Sequence, residues 1–340
     1  MTWHRELPLR ASCMRIARVW APHHVSPVRQ HPRSASTAPS CSPGGGGHTT
    51  PGSAMLFLLS PAKTLDESPK PAGTQATAPV FAKDADTLAA ALGRLPVDQL
   101  RSLLSVSQPL AAANHARYAG WSTAAEKAAI FAFHGHAYKA LDVPSLGKEQ
   151  QAYVERHLRV LCGLYGVLRP TDVIKPYRLE MGAKLKGTAL KAADLYTFWG
   201  DRVAAALRAD VAAQTACCVV NVASGEYWQV VKPYVTQLGC PLVTCVFPGP
   251  AVHSKAARGS IVRYAAVTGA ATPADLRGFS GSNGEWRFVP AESDEQTLVF
   301  HRGAPAGPAK APGKAAAKRG AKSAAEDDEE EPAPTKARRR

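Results

Sequence analysis

HLRVLCGLYGVLRPTDVIKPYRLEMG, residues 157–182, passes from an apolar run through two glycines to a basic, proline-punctuated exit. Just upstream, Val154, Leu158 and Leu161 recur at helical spacing in KEQQAYVERHLRVL, which predicts an amphipathic helix whose register stops at Gly163. Gly163 fits the left-handed residue that closes a helix. Gly166 follows, and a G-L-Y-G hairpin can turn successive peptide N–H groups outward with no Cβ in the way. Arg159, Arg169, Lys175 and Arg178 surround it, spaced so that several can project to one side, and Tyr165 at the tip can stack or plug the core. The fragment reads as a helix-hairpin-helix element whose amides grip one nucleic-acid phosphate while neighbouring cations grip the next. The plainer alternative is a helix end followed by a loop that is merely basic.

Outward from this stretch the chain divides into three parts. Residues 1–54 are an Arg/Pro/Gly-rich extension, with six arginines, no lysine and one acid, and nothing there can build a core. They read as disordered, or as the product of a start assigned too far upstream, because MRIARVW never reaches the apolar length of a secretory signal. Residues 304–340 form a second solvated tail of Ala, Pro, Gly and Lys with an acidic run at 326–331. Of the net charge of +14, the first part carries +5 (six Arg less one Glu) and the last +3 (nine basic less six acidic), leaving +6 for residues 55–303. A moderately basic domain permits polyanion binding without establishing it. The seven cysteines lack metal-finger spacing and read as reduced, buried thiols; Cys217 and Cys218 would point to opposite faces of a strand. No apolar run is long enough to span a bilayer, so no membrane partner is expected.

Within residues 55–303, MLFLLS at Met55 and the runs at Cys217–Val222 and Leu242–Phe247 read as buried strands. Helical spacing covers Pro96–Leu104, Leu110–Tyr118 and His253–Val267. Thr123 and Glu126 have capping-box spacing ahead of an apolar run that ends as a strand at Phe133. Asp194 caps a helix through LYTFWGDRVAAALRA, and Ser224–Lys232 is a short helix ending before Pro233. EWRFVP and QTLVFH suggest an antiparallel hairpin. The expected fold is therefore α/β (mixed α+β), a single domain with a mixed sheet enclosed by helices.

Other groups are candidates at strand ends. Lys63, in SPAK, is a cation at the carboxyl end of a strand, where ligands of open sheets gather; a serine-lysine nucleophile is disfavoured because Pro61 follows the strand directly. Asn221, Ser224, Glu226 and Tyr227 in NVASGEYW follow another strand and can orient a ligand or supply a general acid or base, or Ser224 can simply cap a helix. Lys255 and Arg258 share a helix face and can continue a basic groove or form a solvated face. His134 and His136 flank Gly135 without further ligand partners, so neither a metal nor a cofactor is expected.

Taken together, MLFLLSPAKTL, FHGHAYKAL, LCGLYGVLRPTDVIKPYRLEMG, LYTFWGD, NVASGEY and the SKAARG segment resemble the YaaA family of bacterial peroxide stress resistance proteins from Met55 to about Arg302. The resemblance implies a cytoplasmic protein protecting cells from hydrogen peroxide, with a helix-hairpin-helix and a positively charged cleft that binds double-stranded DNA. It also associates that protection with limiting intracellular free iron. Carried onto this chain, the hairpin is Gly163 to Gly166, with Tyr165 at its tip, and the cleft contributors are Lys63, Arg169, Lys175, Arg178, Lys255 and Arg258. The chain departs from the family at His134 and Ala256, where lysines are usual, and at His136 and Gly225, where acids are usual. The leading expectation is a monomeric, largely non-sequence-specific DNA binder with an affinity for distorted duplexes. The alternative is an enzyme acting on a nucleotide or nucleic acid through Lys63, Asn221, Glu226 and Tyr227.

Overall fold

A computed structural model describes residues 54–69, 76–214, 216 and 218–303. The two tails and Cys217 lie outside the described residues. The domain opens with β1 (Met55–Leu59), all five side chains buried, as expected of a strand covered on both faces. A helical run follows, α1 (Ala82–Gly93), α2 (Val97–Leu104) and α3 (Gln108–Ala119), then β2 (Lys127–Ala128), α4 (Ala129–Ala132), α5 (His136–Leu141) and α6 (Lys148–His157). Next come β3 (Leu158–Cys162), β4 (Gly166–Leu168), β5 (Val173–Ile174), α7 (Leu195–Trp199) and α8 (Arg202–Gln214). The chain continues through β6 (Cys218–Asn221), α9 (Gly225–Trp228), β7 (Leu242–Val246), α10 (Ala251–Thr268), β8 (Trp286–Phe288) and β9 (Thr297–Arg302).

Seven strands form one mixed sheet in the order β4-β3-β1-β6-β7-β9-β8. The inner neighbours β3, β1, β6, β7 and β9 run parallel, and the edge strands β4 and β8 are antiparallel to β3 and β9. β2 and β5 make a separate antiparallel pair. The mixed α/β class is the one the periodicities predict, and the β8–β9 hairpin is where the sequence puts it.

The helix expected to run to Gly163 is wrong in its second half. α6 stops at His157, and LRVLC is β3, with Leu158 opposite Phe57 and Val160 opposite Leu59. Val154, Leu158 and Leu161 do fall at helical spacing, but a five-residue run buried on every side satisfies a central parallel strand equally well, and pairing on both edges decides it. The G-L-Y-G segment therefore joins two antiparallel strands, and there is no helix on either side of it. Two further boundaries differ. Asp194 caps only α7, accepting from Thr197 N at 2.9 Å, because Gly200 at φ 53° breaks the chain before α8 begins. Phe133 contributes one bridge to Leu65 where a strand was expected.

His157, at the end of α6, is held by the strand beside it. Its Nδ1 lies 2.9 Å from the Met55 carbonyl, which can only accept, and its ring packs on Tyr153 at 4.1 Å between centroids. Burial holds its pKa below the ordinary 6.5. The unfolded chain therefore takes up the proton first, so this contribution is complete above pH 6.5 and declines as pH falls below that value. The urea midpoint of the wild type is expected to drop between about pH 7 and about pH 5.5 more than that of His157→Phe. Glu155 and Asp172, whose pKa values burial raises, act with the opposite sign and cancel in that comparison. Parallel pH profiles for the two proteins would show that the imidazole contributes nothing.

Candidate functional site

Sheet order sets where a ligand can sit. From β1 the chain crosses to β3 on one side and later returns to β6 on the other, so the loops leaving β1 and β6 diverge, the position at which open α/β sheets bind ligands. Ser60 follows β1 and Ser224 lies just beyond β6. Their hydroxyl oxygens are 3.2 Å apart, and Ser224 N donates to Ser60 Oγ at 2.9 Å. Tyr138 O–H donates to the Ser60 carbonyl at 3.0 Å, tying α5 to the same point. Ser224 precedes α9, as a cap would, but its hydroxyl is turned to Ser60 instead of to the helix.

The four residues of the enzyme alternative do collect at this end of the sheet, with unequal freedom. Asn221 is buried and its Oδ1 accepts from Ala223 N at 3.0 Å, so it shapes the turn. Tyr227 is buried and hydrogen-bonded to the Met181 backbone, and burial, then the neighbouring Glu226, pushes its pKa well above the phenol range. Glu226 is exposed, accepts from Gly182 N at 2.9 Å, and its carbonyl accepts from Tyr196 O–H at 2.9 Å. Lys63 is more than half exposed, with Nζ 3.4 Å from Glu180 Oε1. Arg178 reaches that same oxygen through Nε at 2.9 Å and a terminal nitrogen at 2.8 Å, so one carboxylate faces two cations.

The hairpin does not offer its amides to an anion. Leu164 and Tyr165 are buried, and Tyr165 N donates to Cys162 Sγ at 3.3 Å, with the Leu164 amide on the same thiol. Gly166, at φ 67°, is the left-handed residue of the turn. Gly163 is required for a different reason: a Cβ there would sit 2.5 Å from the Leu179 carbonyl oxygen. Tyr165 plugs the core, its O–H accepting from Lys175 N at 3.1 Å. The cations also part company. Arg159 is buried on Asp210 at 2.7 Å, and Arg169 reaches the other Asp210 oxygen at 3.4 Å. Lys175 lies 3.9 Å from Glu126 and 5.3 Å from the centre of the Trp121 ring, and Arg178 joins Glu180 beside Lys63. The expectation that they line one side fails because extended chain carries them past three separate carboxylates.

α10 brings in the remaining pair. Ser254 Oγ donates to the Phe247 carbonyl at 2.7 Å, fixing the helix start just after β7. Lys255 is exposed. One turn beyond Ser254, Arg258 is largely buried; among the described residues its Nε has no hydrogen-bond partner and no carboxylate opposes the lowering of its pKa by burial. The next residue, Gly259, packs on Ala137 of α5, and the segment entering α5 is bonded to the Lys63 loop through His134 N to the Thr64 carbonyl at 2.9 Å. Arg258 thus stands on the helix that packs against α5, next to the Gly259–Ala137 contact. Glu180, absent from the sequence-derived site, joins Lys63 and Arg178 at the strand-end crevice, and Ser60, weighed in the sequence only as the serine of SPAK, meets Ser224 through a pairing that neither stretch shows alone.

Residues 55–292 match the family described as peroxide stress protein YaaA. The chain belongs to this family. Among YaaA-family relatives, a UPF0246 protein of Janthinobacterium sp. (strain Marseille) is 42% identical over 261 residues, 73% of this chain and 98% of the relative. A UPF0246 protein of Burkholderia thailandensis is 41% identical over 266 residues, 74% of this chain and all of the relative. In this YaaA-family chain, no group of three or more His, Cys, Asp or Glu is placed to hold a metal ion among the described residues. Among the same residues no helix is long and apolar enough to cross a membrane.

Proposed function

We propose that this peroxide stress protein acts in the cytoplasm as a monomer that holds the phosphate backbone of double-stranded DNA at the strand-end crevice, in cells whose free iron it helps to limit. Arg258 carries this reading. A desolvated guanidinium whose buried Nε finds no acceptor, and no carboxylate, among the described residues is costly unless an anion completes it. Lys63 and Lys255 supply flanking, exposed charge, and lysine and arginine cations match contact to phosphate without sequence readout. The helix-hairpin-helix has no part in the proposal.

An anisotropy titration of the full chain against duplex, bubbled and single-stranded oligonucleotides at several salt concentrations tests it. Affinity for duplexes of unrelated sequence is expected to fall together as salt rises, and Arg258→Met to weaken all of them about tenfold while reducing the salt slope by about one. Wild-type affinity in Arg258→Met, with its fold intact, would remove Arg258 from the reading. The enzyme alternative keeps one supporting observation, the Ser60–Ser224 hydroxyl pair near Lys63. DNA recovered chemically unchanged after prolonged incubation would favour binding alone.

A further inference from the structure

A separate cleft is lined by none of Ser60, Lys63, Ser224 and Arg258. It occupies about 630 Å³ between the loop after β1, α3, the approach to β2 and the chain leaving β5. That volume lies in the range of small-molecule sites, roughly 300–1,000 Å³. Its lining is mostly apolar, with Ala113 and Ala116 of α3 on one side and Ile174 and Pro176 on the other. Short side chains on α3 leave the space open.

Three cations line the cleft, and two are spent. Lys127 Nζ, buried, faces the Asp66 carbonyl at 3.1 Å, Asp66 Oδ2 at 3.0 Å, and the Ser68 hydroxyl and carbonyl at 3.2 and 3.3 Å. An ammonium has three protons, so this group is saturated and locks the 66–68 wall in place. Backbone and side-chain bonds from Ser68, then Lys127, hold the Asp66 carboxyl at about 2, so the wall stays ionised and fixed. Arg117 is closed by an ion pair with Glu67. Lys175 differs. Its Nζ is 3.9 Å from Glu126, beyond hydrogen-bond distance, and its nearest other partner is the Trp121 face at 5.3 Å. Among the described residues no acceptor takes a proton from this mostly buried ammonium.

We infer that this cleft binds a small apolar carboxylate, its hydrocarbon or aryl body against Ala113, Ala116, Ile174 and Pro176 and its carboxylate on Lys175 Nζ. Apolar lining with one donor-rich cation fixes both body and head group. Asp66, Glu67 and Glu126 on the walls disfavour a second negative charge, which separates this ligand from a phosphate ester or a nucleic acid.

Isothermal titration of the full chain with 2-naphthoate, and with uncharged 2-naphthalenemethanol, tests the assignment. Saturable one-to-one heat is expected for the carboxylate, with the alcohol about tenfold weaker. Lys175→Met is expected to bring the carboxylate down to the level of the alcohol. Ala116→Leu, which fills the cleft, is expected to weaken both compounds while leaving the DNA titration unchanged. Absence of saturable heat in the folded wild type, equal affinity for the two compounds, or undiminished binding in both variants would overturn it. If Ala116→Leu lowers the melting temperature, the partly exposed Lys175→Met alone decides the question.

Discussion

Asp210→Ala is expected to lower the unfolding free energy by about 3–5 kcal/mol, read from urea denaturation near neutral pH. Arg159 lies within the sheet at β3, only 4% exposed, and donates through Nε to Asp210 at 2.7 Å. One of its terminal nitrogens is bonded to the carbonyls of Glu155, Arg156 and Leu158, all neutral acceptors. Removing Asp210 takes away the carboxylate bonded to this buried charge and leaves it only backbone carbonyls and the more distant Glu155 and Asp172, and a guanidinium cannot escape by losing its proton. Arg169, which shares the carboxylate at 3.4 Å, is half exposed and loses little. Two variants check the cause. Asp210→Asn should cost less than alanine, because an acceptor remains. Asp210→Ala combined with Arg159→Met should be more stable than Asp210→Ala alone, because no charge is left unpaired. A double variant as unstable as the sum of its parts would place the cost in packing.

Gly259→Ala is expected to be the second severe change, with a loss of about 3 kcal/mol or more. Mid-helix, alanine ordinarily stabilises relative to glycine by up to about 1 kcal/mol. Here a Cβ would stand 2.6 Å from the Ala137 carbonyl carbon and 2.9 Å from its Cα, and both are backbone, so α10 and α5 would have to separate. Steric cost wins over propensity. Gly225, whose added Cβ would meet nothing within 4 Å, is the matched control and should accept alanine at little cost. Because Gly259 adjoins Arg258 and α5 leads back to the Lys63 loop, folded protein carrying Gly259→Ala should also lose affinity for DNA. Retained melting temperature in Gly259→Ala would mean that the two helices have slack.

Strands and helices were legible where one pattern admitted one outcome. MLFLL has no helical stripe, and the 251–268 helix repeats its buried positions over several turns. LRVLC fits both periods because it is short and wholly buried, and the β1 partner that makes it a central strand, Phe57, is far away in sequence. The site was half legible for a similar reason. Lys63 could be placed at a strand end and Arg258 on a helix face, but the cancelling of Arg178 by Glu180 and of Arg159 by Asp210 depends on tertiary neighbours. A count of basic residues shows charge, and only the fold shows which charges are already answered.

β1 lies in the interior of the sheet, yet its neighbours are β3 and β6, with Met55 opposite Cys218. During translation, at about 5–20 residues per second, roughly 10–30 s separate the emergence of Leu59 from that of Asn221. Until β3 emerges the strand with no polar face has no edge to join, and its other edge waits for β6. A nascent chain of this protein therefore carries a wholly apolar strand segment uncovered until its partners are made.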